Sequence, residues 1–95
     1  MKEEEIYLKA LEKWGALAQM EMAQEEATEL ALAIRKQVRN NNEESFKNMV
    51  DEIADVEIMI EQLKIIHNQN NLRENVELRK AFKIERLEKR INNQK

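Results

Sequence analysis

The sequence predicts an all-α protein, an antiparallel helical bundle of about four helices in a single domain over residues 1–95. Three observations predict it. The chain has no proline and only one glycine, Gly15, so it lacks the residues that punctuate strands and tight turns. Apolar residues recur at three- and four-residue spacing almost throughout, the period of an amphipathic helix. Hydrophobic residues make up 42% and charged residues 37%, enough of each to supply buried and solvated helix faces. A chain this short buries only about 60–65% of its unfolded surface, so a marginal monomer or an oligomer is expected.

The elements follow in order. Tyr7, Leu11, Trp14 and Ala18 lie on one helical face of the first segment, which Gly15 interrupts as a short turn or kink. A second helix is expected from about residue 16 to Arg39, with a core stripe of Ala23, Ala27, Leu30, Ile34 and Val38. Asn40-Asn41-Asn42 is a loop, and asparagine there caps a third helix whose first turn holds Glu43 and Glu44, where the helix dipole favours acids. That helix runs to about His67 with a stripe of Met49, Ile53, Val56, Ile60 and Leu63. Asn68-Gln69-Asn70-Asn71 separates it from a last helix, with Asn71 and Glu74 reading as a capping pair. The last helix carries Val76, Phe82, Ile84, Leu87 and Ile91, and its end, Asn92-Asn93-Gln94-Lys95, is expected to fray.

Charge and composition exclude several classes. Net charge is −3, unlike a binder of nucleic-acid polymers. The charge is uneven: residues 1–34 hold eight acids against three bases, whereas residues 73–95 hold four against eight. The absence of cysteine removes disulfides, thiol nucleophiles and cysteine-based zinc sites. The acidic start, Met1-Lys2-Glu3-Glu4-Glu5, is unlike a signal peptide, and no apolar run approaches about 18–20 residues. A cytoplasmic protein without a membrane segment is expected.

Four carboxylates concentrate the interest. Glu26 and Glu29 are three residues apart, as are Glu52 and Asp55, so each pair shares a helix face. The pairs are mirror images about residues 40–42, which sets Glu26 level with Asp55 and Glu29 level with Glu52 in a hairpin. Each pair also continues an apolar line: Met22 and Ala33 flank the first, and Met59, Leu63 and Ile66 extend the second. That placement aims the acids at the groove between helices. Two carboxylates about 6 Å apart at an effective dielectric near 20 repel by roughly 3 kcal/mol, so four together call for protons, a cationic side chain or metal. Arg35 and Lys36 lie toward the loop. All-oxygen ligation suits Mg2+ or Mn2+ rather than zinc. The bland alternative is a pair of acidic motifs on solvated faces.

The pattern Glu25-Glu26-x-x-Glu29 followed by Glu52-x-x-Asp55 resembles the MazG-like, all-α nucleoside triphosphate pyrophosphohydrolases. The stretches Trp14-Gly15-x-x-x-Gln19 and Asp55-Val56-Glu57-Ile58-Met59 are similar to a small single-domain phage- or bacterial-type branch, and the likeness covers about residues 6–67. The resemblance implies a bundle completed as a homodimer or homotetramer. It implies magnesium held by Glu26, Glu29, Glu52 and Asp55, and hydrolysis of a nucleoside triphosphate to monophosphate and pyrophosphate in nucleotide-pool clean-up. Glu25 is the family's extra acid, a candidate catalytic base that lies off the stripe of Glu26 and Glu29. The family's last-helix lysine is matched by Lys83, but Leu87 stands where its asparagine is expected.

Other residues carry two readings each. Arg79, Lys83, Arg86 and Arg90 form one basic stripe, either a solvated face paired with Glu85 and Glu88 or, through Lys83 and Arg86, a grip on phosphates. Trp14 either packs at a core or interface or stacks on a base, and Gln19 is either a surface residue or a contact to a base edge. The competing function is a non-catalytic dimeric helical interaction or regulatory module. A third reading keeps the chemistry with the substrate of the related phosphoribosyl-ATP pyrophosphohydrolases.

Overall fold

The computed structural model describes residues 2–93. Four α-helices and one short 3-10 turn account for nearly all of them: α1 (Glu3–Trp14), α2 (Ala16–Asn40), α3 (Glu43–Ile66), the 3-10 turn Asn68–Asn70, and α4 (Leu72–Asn93). The first boundary comes from Gly15, which sits at φ 89° and ψ 157°, a conformation side chains with a Cβ avoid. Its amide closes α1 on the Leu11 carbonyl at 2.8 Å.

The α2–α3 turn is the best-specified piece of backbone. Asn41 takes a left-handed conformation, φ 45°, and ends α2 by donating its amide to the Gln37 carbonyl. Asn42 then caps α3: its side-chain oxygen accepts the Ser45 amide at 2.8 Å, and the Ser45 hydroxyl accepts the Asn42 amide at 3.2 Å. The buried Ser45 hydroxyl donates to Gln37 Oε1 at 2.6 Å, tying the turn to α2. Two residues therefore suffice to reverse the chain, and α2 and α3 run antiparallel along each other.

The seam between them follows a stricter rhythm than the expected core stripes. The sheltered positions on α2 are Gln19, Ala23, Glu26, Leu30, Ala33 and Gln37, and those along α3 are Ser45, Met49, Glu52, Val56, Met59 and Leu63, with the rest of its last turns, 61–66, sheltered as well and Gln62 buried. Both sets step by four and three residues alternately, the spacing of a coiled-coil seam. Of the expected stripes, Ala23, Leu30, Met49, Val56 and Leu63 join this seam. Ala27, Ile34, Val38, Ile53 and Ile60 do not; they face outward. The turn geometry explains the difference. Capping at Asn42 and the Gln37–Ser45 hydrogen bond set the rotation of both helices, and that rotation carries the acidic line inward and part of the most apolar line outward.

The helix α1 touches both α2 and α3, whereas α4 packs chiefly on the 3-10 turn. An ion-pair fork joins α4 to the hairpin: Glu61 meets Lys64 at 3.1 Å and Arg73 at 3.3 Å. Those contacts, led by the Lys64 hydrogen bond, hold the Glu61 carboxyl below its ordinary range. Asn71 is left-handed, φ 55°, and closes the 3-10 turn, so it is not the extended cap of a pair with Glu74. The apolar side of α4 is unpacked, with Ile84, Leu87 and Ile91 each more than half exposed. Asn92 and Asn93 are helical, while the expected fraying of Gln94 and Lys95 lies outside the described residues. No helix among the described residues is long and apolar enough to cross a membrane.

Candidate metal centre

The acids meet at mid-height of the seam because Glu26 and Glu52 are seam residues themselves. Asp55 follows Glu52 by one turn on α3 and faces Glu26 across the groove. Glu26, Glu52 and Asp55 each offer a carboxylate oxygen, and these oxygens lie within 4.8 Å of one another. Glu29, the fourth expected ligand, stands outside that group on the exposed edge, yet it is close enough to Glu52 to act on its titration.

The electrostatics match the crowding. Burial, then repulsion from Glu29, Asp55 and Glu52, pushes the Glu26 carboxyl up from 4.5 to about 7. Burial, then the charges of Glu29 and Asp55, also raises Glu52. None of the four acids is ion-paired among the described residues. Glu26 Oε2 and Glu52 Oε2 are buried without a hydrogen-bond partner. Orphaned oxygens of this kind cost free energy until a proton or a cation reaches them. The donor set is all oxygen, anionic and narrow enough for one small ion to touch three residues, which is the chemistry a hard divalent cation takes.

The other expected site residues divide into two groups. Trp14 and Gln19 come together in an open cleft of about 420 Å³ with Ala10, Ala18, Met22, Met59 and Gln62. This cleft sits one helical turn up the seam from the acids, since Met22 precedes Glu26 by four residues and Met59 follows Asp55 by four. Glu25 is exposed on α2, beside Glu26 in sequence but off the seam. Lys83 and Arg86 lie exposed on α4, which does not pack over the acids within one chain. Gln62 was not singled out by the sequence reading. Its only sequence signal is positional: it mirrors Gln19 about the same loop that relates Glu26 to Asp55.

Compared with models of known protein families, with curated proteins and with solved structures, the chain finds no match in any of the three.

Proposed function

We propose that this chain is a divalent-metal-dependent nucleoside triphosphate pyrophosphohydrolase that works as a homodimer or a higher homo-oligomer. The observation that carries the reading is the cluster of Glu26, Glu52 and the exposed Asp55, mutually repelling, in which Glu26 and Glu52 each hold a buried oxygen with no partner. The resemblance to MazG-like enzymes supplies the substrate class, and the adjoining Trp14–Gln19 cleft supplies a place for a base.

Glu26, Glu52 and Asp55 would hold Mg2+ or Mn2+, with Glu29 joining from the edge of the groove. When bound, the metal supplies positive charge for the phosphate oxygens and acidifies water that attacks the α-phosphorus. The chain's own residues do the rest. A triphosphate held over these acids would have its base directed along the seam toward the Trp14–Gln19 cleft. Glu25, beside them and open to solvent, is the candidate to take a proton from the incoming water. The bond from the α-phosphorus to its bridging oxygen breaks, giving monophosphate and pyrophosphate.

A second copy fits two further observations. The outward faces of α2, α3 and α4 carry Ile34, Val38, Ile53, Ile60, Ile84, Leu87 and Ile91, all exposed. Among the described residues the basic stripe of α4 also lies away from the acidic cluster, so Lys83 and Arg86 would reach phosphates only from a partner or after α4 moves. The test is direct: incubate the protein with Mg2+ or Mn2+ and a panel of ordinary and modified nucleoside triphosphates, and identify the products. Monophosphate and pyrophosphate in equal amounts from at least one substrate is the expected result. Absence of both from every substrate, with no rise in melting temperature on adding metal, would leave the interaction-module reading in its place.

A further inference from the structure

The cleft beside the acids contains a polar group with nothing to do. Gln62 is 6% exposed, its Nε2 rests 3.7 Å from the Met59 sulfur, and its Oε1 is buried with no hydrogen-bond partner. A buried amide oxygen left unpaired is destabilising, and a ligand N–H removes that penalty. Gln62 lines the cleft together with Gln19, itself 6% exposed, which faces it from α2. The sulfur is a weak acceptor for the nitrogen end of Gln62. The terminal amide torsion is soft, so a small rotation gives up that contact and turns the oxygen onto the cleft without displacing α3.

The remaining walls suit a flat ring. Met22 and Met59 offer polarizable apolar surface, and Trp14 stands at the mouth with Lys13 Nζ 5.5 Å from its ring centre. The cleft lies one turn of helix from the carboxylates, about 5.4 Å along the axis, a span that a sugar bridges.

We infer that this cleft is a nucleobase subsite in which Gln62 selects the ligand, accepting a hydrogen bond from an N–H on the base's pairing edge while the Gln19 amide donates to the acceptor beside it. The inference rests on the nucleotide reading above and adds to it a residue and a chemical requirement. Bases with an adjacent donor and acceptor on that edge bind, and bases whose donor has been methylated until no N–H remains do not.

The test uses nucleosides alone, in EDTA, so that neither phosphate nor metal contributes. The chain has a single tryptophan, Trp14, and its fluorescence reports on the cleft. At least one of uridine, thymidine, cytidine, adenosine and guanosine should quench it saturably. The same nucleoside methylated until its pairing-edge donor has no N–H, 3-methyluridine for uridine or N6,N6-dimethyladenosine for adenosine, should bind at least about 10-fold more weakly, as should the unmethylated nucleoside to Gln62→Met. Gln62→Met should melt no lower than the parent, because it removes an unpaired buried acceptor. The methylated nucleosides test the same point on the unaltered protein if that variant does not fold. Quenching by no nucleoside, or equal binding of methylated and unmethylated forms, or unchanged affinity in a folded Gln62→Met, would each overturn the inference. Pyrophosphate release, measured separately with metal, decides the catalytic reading on its own.

Discussion

Glu26 is where the cost of the site is concentrated, and its titration turns that cost into a measurement. Its carboxyl is raised to about 7 from 4.5, so the folded protein holds a proton there that the unfolded chain has lost. A raised acid contributes its full stability below about 4.5, and that contribution is lost as pH rises through about 7. Glu52 is raised too and pulls in the same direction. Without metal, the melting temperature should therefore fall between pH 5 and pH 8. Millimolar Mg2+ should restore it at pH 8 and do little at pH 5, where protons compete for the same oxygens. In Glu26→Gln the pH dependence should flatten. A melting temperature that rises over this range would contradict the assignment. At this scale the sequence was informative for the acids, because four like charges set in apolar lines stand out. It was silent on Gln62, because an amide carries no charge to flag it and only its burial makes it unusual.

The hairpin α2–α3 is the element that holds the acids level, and it depends on small residues and caps rather than on a large apolar core. Ala33 is 1% exposed at the seam, one turn from Glu29. Enlarging it in Ala33→Leu should force the helices apart, costing about 1–3 kcal/mol in denaturant titrations and weakening metal binding with it. Asn42→Ala should cost about 1 kcal/mol by removing the cap on α3, without touching the acids. Gly15→Ala meets no atom within 4 Å, so any loss there is backbone strain from φ 89°, about 1–3 kcal/mol. Helix positions and the asparagine turn were legible from periodicity and capping chemistry. Which stripe faced inward was not wholly legible. Apolarity favoured Ala27, Ile34 and Val38, but the Gln37–Ser45–Asn42 hydrogen bonds set the rotation, and the seam received Gln19, Ser45 and Gln62 instead.

The whole molecule is extended for its length. Its radius of gyration is 16.5 Å, against about 12 Å for a compact domain of this length. Its extents are 49 × 35 × 23 Å, and among the described residues the apolar side of α4 and the outward stripe of α2 and α3 stay exposed. A second copy is the partner this account expects, so sedimentation should give at least twice the protomer mass of 11.3 kDa. Leu87→Glu and Ile91→Glu together should shift that equilibrium toward monomer while leaving the α2–α3 hairpin helical. This scale was the least legible in the sequence, since periodicity marks an apolar face without saying whose surface covers it. The central claim, that the acids of the seam hold metal for splitting a nucleoside triphosphate, meets its most direct test in Glu52→Gln. Assayed beside the parent on a substrate the parent turns over, Glu52→Gln should keep its helical circular dichroism and lose pyrophosphate release by about 100-fold or more. Undiminished turnover by the folded variant would contradict the account.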